Sequence, residues 1–237
     1  MINGKYVLAI IPARGGSKGL PRKNVLNFLG KPLIRWTIEQ AKNSIYIDKI
    51  IVSTDDDEIK TISRVAGADV PFIRPKELAT DDAKGIDVIL HAVNWSENND
   101  KERCFDIIVY LQPTSPLRLS EDIDCSIEML FSKDAKAIVS ICEVEHNPLW
   151  TNVLPPDGCM KNFIRPEVLN RNRQEFPQYY RLNGSIYISM IDLLKLQKTF
   201  YGDKTFAYIM PRERSVDIDT FIDFQVAEFL FKINQVK

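Results

Sequence analysis

The sequence is poor in the residues that build metal and thiol centres. Only two histidines, His91 and His146, occur in 237 residues, and each suits an ordinary hydrogen bond better than a metal ligand or a catalytic base. The cysteines Cys104, Cys125, Cys142 and Cys159 form no CxxC pair. That excludes zinc-ribbon and thioredoxin patterns and leaves free thiols of a reducing compartment as the expectation. Any cation must be held by carboxylates. Long apolar runs are also missing: the one inside MINGKYVLAIIPARGG is about six residues, too short for a signal core or a membrane span. A cytoplasmic protein with no membrane partner is expected. Nor is there a surplus of either charge. Lys+Arg 31 against Asp+Glu 32 leaves a net charge of -1, which argues against nucleic acid as a partner, because neutralising many phosphates needs a basic excess. Clustered basic residues must act locally.

What is present is a succession of short apolar runs and helical patterns. YVLAIIP at 6–12, KIIVST at 49–54, DIIVYLQ at 106–112 and AIVSICEV at 137–144 read as buried parallel strands. Between them PLIRWTIEQAKN, DDEIKTISRVAG, GIDVILHAVNW and SEDIDCSIEMLF carry apolar residues at helical spacing, with Ile86, Ile89, Leu90 and Val93 on one face. This βαβ succession predicts an α/β fold whose ligands sit beyond the carboxyl ends of the strands. The chain is long enough for one such unit, residues 1–237, better than for two equal domains. From Glu145 to Arg181 the periodicity breaks into a segment rich in Pro, Asn, Arg and aromatics, read as an inserted lobe. Strand patterns resume at 185–189 and 205–210, flanking a short helix, MIDLLKLQK. A closing helix begins near Thr220, where Thr220 and Asp223 have capping-box spacing ahead of Phe224, Ala227, Phe229 and Leu230.

Three stretches carry chemistry. Directly after the first strand, Ala13-Arg14-Gly15-Gly16-Ser17-Lys18-Gly19 and the following Leu20-Pro21-Arg22-Lys23-Asn24 concentrate glycine and positive charge. Such a loop can approach a ligand closely and surround a polyphosphate with N–H groups and with Arg14, Lys18 and Lys23. It matches neither GxxxxGK[ST] nor GxGxxG. Near the C-terminus, Asp217 and Asp219 stand at i and i+2; on an extended chain both would face one side and suit a hard cation. Alone, the pair reads better as a helix cap at Asp219 and a solvated turn residue at Asp217. At the end of the third strand, Gln112, Thr114 and Ser115 offer neutral groups for sugar or ribose hydroxyls, or else mark a proline-fixed turn into a helix capped by Ser120. Asp55, Asp56 and Asp57 suit the cap of the next helix, with Asp55 or Asp56 lining the site as the alternative.

The string IIPARGGSKGLPRKN resembles the signature of the CMP-sugar-acid synthetases, that is, the acylneuraminate cytidylyltransferases and their relatives for legionaminic and similar acids. GKPLIRWTIEQA, IIVSTDDDEI, RPKELATDD, LQPTSPLR, RQEFPQYYRLNGSIYI and SVDIDT resemble further blocks of that family in order, across nearly the whole chain. The resemblance implies a Rossmann-like, GT-A-like nucleotidyltransferase: a three-layer αβα sandwich with a small dimerisation lobe at about 145–181. It implies CTP and a nonulosonic acid such as N-acetylneuraminate as substrates, and a homodimer. The anomeric hydroxyl would attack the α-phosphate and pyrophosphate would leave, with Arg14, Lys18 and Lys23 taking up charge. Asp217 and Asp219 would hold Mg²⁺ (or Mn²⁺), and Asp217 is also a candidate base. By the same resemblance the loop Ala13–Lys18, Asn24 and Arg74 contact the nucleotide, with Ala79–Gly85 closing the other side; several relatives carry a hydroxyl residue where Gly85 stands. Gln112 contacts the sugar acid, Asn183, Gly184 and Tyr187 wall its pocket, and Arg173 reaches across the dimer to the anionic substrates, with Arg181 the lesser candidate for that role. The block RQxxPQxYRxNG favours a nine-carbon acid. Trp150 stands near a place where some members have lysine. The competing class is a non-catalytic nucleotide-binding regulatory subunit, which would have lost the basic loop or the acidic pair; both are intact here.

Overall fold

The computed structural model describes residues 1–100 and 103–234. Its centre is a six-stranded sheet of order β4-β1-β5-β7-β6-β8. The strands are β1 (Val7–Pro12), β4 (Lys49–Ser53), β5 (Ile107–Leu111), β6 (Ala137–Glu143), β7 (Tyr180–Met190) and β8 (Thr205–Ile209). A separate two-stranded hairpin pairs β2 (Asn27–Phe28) with β3 (Lys31–Pro32). The helices are α1 (Leu33–Asn43), α2 (Asp57–Ala66), α3 (Gly85–Asn99), α4 (Ser120–Ser132), α5 (Ile191–Gln197) and α6 (Phe221–Asn234).

Side chains alternate along each strand, so the sheet has two apolar faces. Val7, Ala9 and Ile11 join one core with Ile34 and Ile38 of α1, Ile59 of α2, and Ile123 and Ile127 of α4. Leu8 and Ile10 join the other with Ile89 and Val93 of α3 and Leu194 of α5. Helices thus cover both faces, giving the αβα sandwich. A third cluster, Phe28, Leu33, Leu117, Ile218 and Phe224, joins the hairpin, α1 and α6. At α6 Thr220 and Asp223 cap each other reciprocally, Thr220 N to Asp223 Oδ2 at 2.7 Å and Asp223 N to Thr220 Oγ1 at 3.3 Å.

Four details depart from the sequence reading. The sheet is mixed, because β7 is antiparallel to both β5 and β6; the run at 137–144 pairs in parallel only with β8. A strand buried on both faces is a continuous apolar run whichever way its neighbours point, so direction leaves no mark on the pattern. The irregular segment also ends earlier than Arg181, since Tyr180 and Arg181 already pair with Glu143 and Cys142. Phe229 faces outward at 63% exposure, and Phe231 instead packs against the third cluster. Finally, Ser120 is the first helical residue of α4, and the cap is made by the Asp122 carboxylate, which accepts from Leu119 N at 2.8 Å.

Strand order reverses at β1, whose neighbours are β4 on one side and β5 on the other. The crevice beyond the carboxyl ends of β1 and β5 is where an open sheet of this kind takes its ligand, and the basic loop and Gln112 both emerge there.

Candidate active site

The loop after β1 is fixed at both ends. Ala13 is buried and continues the β1–β4 ladder through Ser53 O. Asn24, also buried, donates to Arg14 O at 3.1 Å and so closes the loop on itself. Gly15 N donates to Asp55 Oδ1 at 2.9 Å, which gives Asp55 a place in the site's scaffold. Asp56 caps α2 through Ile59 N and pairs with Arg22; that guanidinium holds its carboxyl below the usual range. Between these anchors Arg14, Ser17, Lys18 and Asn24 line a cleft whose far wall is Gln112 and Thr114. Gly16 has open space around it.

Arg14 and Lys18 converge on Asp81, in the loop before α3, Arg14 Nη2 at 2.6 Å and Lys18 through a second ion pair. Their ammonium and guanidinium groups hold the Asp81 carboxyl below its ordinary pKa. Two cations that meet on one carboxylate can meet on one phosphate, so the geometry suits a polyphosphate. A wider depression of about 610 Å³, bounded by Trp36, Arg118 and Phe231, lies elsewhere. Its cations Lys31 and Arg214 are already paired with Glu39 and Asp122, so it offers a polyphosphate little.

Lys23 links the basic loop to the acidic segment. Its side chain is buried, and Nζ donates to Ile218 O and lies 3.0 Å from Asp219 Oδ1. Gly19 passes so near this segment that a β-carbon there would stand 2.5 Å from Asp219 O, a contact that excludes every other residue type. Asp217 lies deeper. Burial raises its carboxyl pKa, with the Thr114 hydroxyl and then Lys23 opposing, and Oδ1 has no hydrogen-bond partner of ordinary geometry. Asp219 is exposed at 74%. The two carboxylates are close enough for the charge of Asp219 to act on Asp217.

An unpartnered, buried carboxylate oxygen is a costly feature unless a cation completes it, and Asp217 with Asp219 fits that purpose. Among the described residues no group of three or more His, Cys, Asp or Glu is assembled. A cation here would take its remaining oxygens from ligand and water, the habit of magnesium more than of calcium.

A bulge in β7 brings the other wall into position. The β6–β7 register shifts between Val139 and Ile141. Ser140 Oγ fills the gap, donating to Asn183 Oδ1 at 2.6 Å and accepting from Ile186 N at 2.7 Å. The bulge turns on Gly184, at φ 71°. A β-carbon on Gly184 would be 2.9 Å from Gln112 Oε1 and 3.2 Å from Asp217 Oδ2, so this glycine is where the polar wall and the acidic segment meet.

The remaining residues picked from the sequence divide between cleft and scaffold. Asn183 is buried and spends its amide on Ser215 Oγ at 2.9 Å and on Met210 Sδ, so it fastens the irregular segment leading to Asp217 rather than facing the cleft. Ser115 is fully buried, its hydroxyl unpartnered, away from the cleft lining. Arg74 is buried and donates from Nε to Ser53 Oγ at 3.0 Å and from Nη2 to Ser53 O; burial lowers its pKa. Gly85 opens α3. Tyr187 packs its ring on Tyr110 and Phe200, and burial raises its pKa. Arg173 begins a short turn, and its side chain lies outside the described residues. Arg181 pairs with Glu145 at 2.7 Å.

Three residues escaped the sequence reading. Asp81 looked like one acid among several. Tyr110, hidden in an apolar run, lines the cleft. Arg118 is 1% exposed and gathers four bonds, to Ser185 O and Oγ, Thr37 Oγ1 and Gln40 Oε1. Burial pulls its pKa down to about 9, so it is still charged at neutral pH. It ties α1 to the back of the β7 bulge, and its loss would leave neutral buried acceptors unpaired, at about 1–3 kcal/mol for each group stranded. Its position just after LQPTSPL was the only available signal.

The cytidylyltransferase family model matches residues 8–235. The chain is 36% identical over 236 residues to a CMP-N,N'-diacetyllegionaminic acid synthase of Legionella pneumophila, covering 97% of each protein. It is 38% identical to an N-acylneuraminate cytidylyltransferase of Streptococcus agalactiae, covering 92% of this chain and 51% of that protein. In fold it is similar to a CMP:2-keto-3-deoxy-manno-octonic acid synthetase solved with CTP, at a TM-score of 0.67 and 18% identity over 97% of this chain and 100% of that one. With a family model spanning nearly its whole length and a relative matched end to end, the chain belongs to the cytidylyltransferase family of CMP-nonulosonate synthetases.

Proposed function

We propose that this chain transfers CMP from CTP to the anomeric hydroxyl of a nine-carbon nonulosonic acid, with release of pyrophosphate. The observation that carries the reading is Lys23, which joins a cationic loop suited to a triphosphate to the acidic segment through Asp219, two residues from the half-buried Asp217, whose Oδ1 has no hydrogen-bond partner of ordinary geometry. Arg14 and Lys18 would exchange Asp81 for the departing phosphates and balance the charge that develops on them. Gln112, beside Gly184, would orient the sugar acid so that its hydroxyl lies in line with the leaving group. Asp217, whose carboxyl pKa is raised by burial, is the candidate base. Magnesium, held by Asp217 and Asp219, would supply electrostatic stabilisation of the phosphates.

N-acetylneuraminate is the acid first expected from the sequence. The end-to-end match to a protein named for diacetyllegionaminate makes that acid the second candidate. The protein is proposed to act in the cytoplasm as a homodimer. Residues 145–179 hold no α-helix or strand and expose Val153, Leu154, Met160 and Leu169, apolar surface that a twofold contact would cover.

Pyrophosphate release tests the reading. CTP with a nonulosonic acid and Mg²⁺ should give turnover, and ATP or GTP should serve poorly. Equal turnover with every nucleoside triphosphate, or none with any such acid, would contradict it.

A further inference from the structure

We infer that Arg22 is a positioning residue for the triphosphate: bound to Asp56 and Glu58 at the amino end of α2, it latches the exit of the basic loop to the place that also receives the loop's entry. Arg14, Lys18 and Lys23 are thereby held in register before CTP arrives. The inference rests on the cytidylyltransferase reading and adds to it a residue that does not face the ligand. Ser17, Lys18, Gly19, Lys23 and Asn24 of this loop line the cleft, and Arg22 is not among the lining residues.

The backbone gives the first indication. Arg22 stands at φ 57° and ψ 23°, a left-handed conformation that glycine enters freely and that costs a residue with a β-carbon. An arginine at such a position is explained by its side chain. The turn sends neighbouring side chains opposite ways: Lys23 and Asn24 go inward and are buried, to Asp219 and to Arg14 O, while the Arg22 guanidinium goes outward to α2. Nη1 donates to Asp56 Oδ2, and Nη2 donates to Asp56 Oδ1 at 3.3 Å and to Glu58. Spanning three carboxylate oxygens takes a planar fork, which a lysine lacks.

Asp56 meets both ends of the loop. Its Oδ1 accepts from Ile59 N at 2.9 Å, which fixes the carboxylate as the cap of α2. Gly15 lies against the same side chain, so close that a β-carbon there would stand 2.7 Å from Asp56 Oδ2 and 3.0 Å from its Cβ. Gly15 N meanwhile donates to the adjoining Asp55 at 2.9 Å. Entry and exit are thus held on two consecutive acids. Between them Gly16 has open space around it, so the middle of the loop depends on its ends. A loop ordered in advance loses less conformational freedom when its ligand binds, and that difference appears as affinity.

Calorimetry of CTP and of CMP on wild type, Arg22→Asn, Arg22→Lys, Asp56→Asn and the Arg22→Asn/Asp56→Asn double variant tests this, with kinetics and hydrogen exchange alongside. Asparagine tolerates the left-handed turn at 22 and still caps a helix at 56, so each change removes the latch and spares the local fold. Arg22→Asn and Asp56→Asn should each weaken CTP about 5-fold, the scale of one well-aligned exposed ion pair. CMP, which lacks the departing phosphates, should weaken by about 2-fold or less. Arg22→Lys should recover part of the loss, and the double variant should lose less than the product of the two single losses, because both break one pair. Pre-ordering acts on binding, so kcat and the KM for the sugar acid should stay within about 2-fold of wild type. Amides of residues 15–24 should exchange faster in Arg22→Asn while those of β1 and β5 keep their wild-type rates. Unchanged CTP affinity in Arg22→Asn, losses that multiply in the double variant, or faster exchange in the strands as well would overturn the inference and leave the enzyme reading intact. Wild-type protein that bound neither CTP nor CMP would overturn both.

Discussion

Lys23 Nζ stands 3.0 Å from Asp219 Oδ1 while donating to the neighbouring backbone oxygen of Ile218. The lysine is buried and the aspartate exposed, so the basic loop reaches under the acidic segment and supports it from within. Lys23→Met keeps the stem and removes the charge. It should leave the Ile218 carbonyl without its side-chain donor and lower stability by about 1–3 kcal/mol, visible as a fall in Tm. It should also lower kcat about 100-fold or more, as loss of a charge-stabilising group does. A variant with lowered Tm and normal kcat would make Lys23 a brace only.

Asp217 should show the opposite balance of stability and activity. Burial raises its carboxyl pKa above 3.8, so the folded state holds the proton more tightly than the unfolded one. That contribution is complete below the unfolded value and is lost as pH rises through the raised one. In metal-free buffer Asp217→Asn should therefore melt higher than wild type at pH 7, by about 2–4 °C per kcal/mol relieved, and alike near pH 3. Turnover should fall about 100-fold or more. Lower stability at pH 7 would contradict the reading that burial disfavours this charge.

Asp81 occupies Arg14 and Lys18 together. If those cations serve the triphosphate, Asp81→Asn removes a competitor, and the KM for CTP should fall several-fold at low ionic strength, with the gain fading as salt screens the exchange. The Kd of CMP should change less, because CMP lacks the departing phosphates. A rise in KM for CTP would show that Asp81 helps to bind it.

The proposed homodimer predicts complementation. If Arg173 acts in the partner's site and Asp217 in its own, Arg173→Ala and Asp217→Asn proteins should each be nearly inactive. Their mixture should recover about a quarter of wild-type activity after random subunit exchange, because about half the dimers then carry one intact site. No recovery despite proven exchange would place Arg173 in its own chain's site or outside any site.

The βαβ order, the basic loop and the acidic pair were legible because each is local: a period, a turn composition, a spacing. Sheet direction was not, since β7 enters antiparallel with the same apolar pattern a parallel strand would have. Asn183 shows a second limit. Its block predicts a pocket wall, yet its amide is spent on Ser215 and Met210, and only three-dimensional neighbours reveal that a conspicuous polar residue is a fastener. Arg118 shows the reverse, an unremarkable basic residue near a turn that proves to be fully enclosed and bonded to two elements distant in sequence.

Isotope tracing tests the central claim most directly. Sugar acid carrying ¹⁸O at the anomeric hydroxyl, incubated with CTP and Mg²⁺, should yield a CMP-sugar acid that retains the label in the oxygen bridging the anomeric carbon and the α-phosphorus, with unlabelled pyrophosphate, as read by mass spectrometry and ³¹P NMR. Label lost to water, label in pyrophosphate, or CTP hydrolysis with no CMP-sugar formed would contradict it.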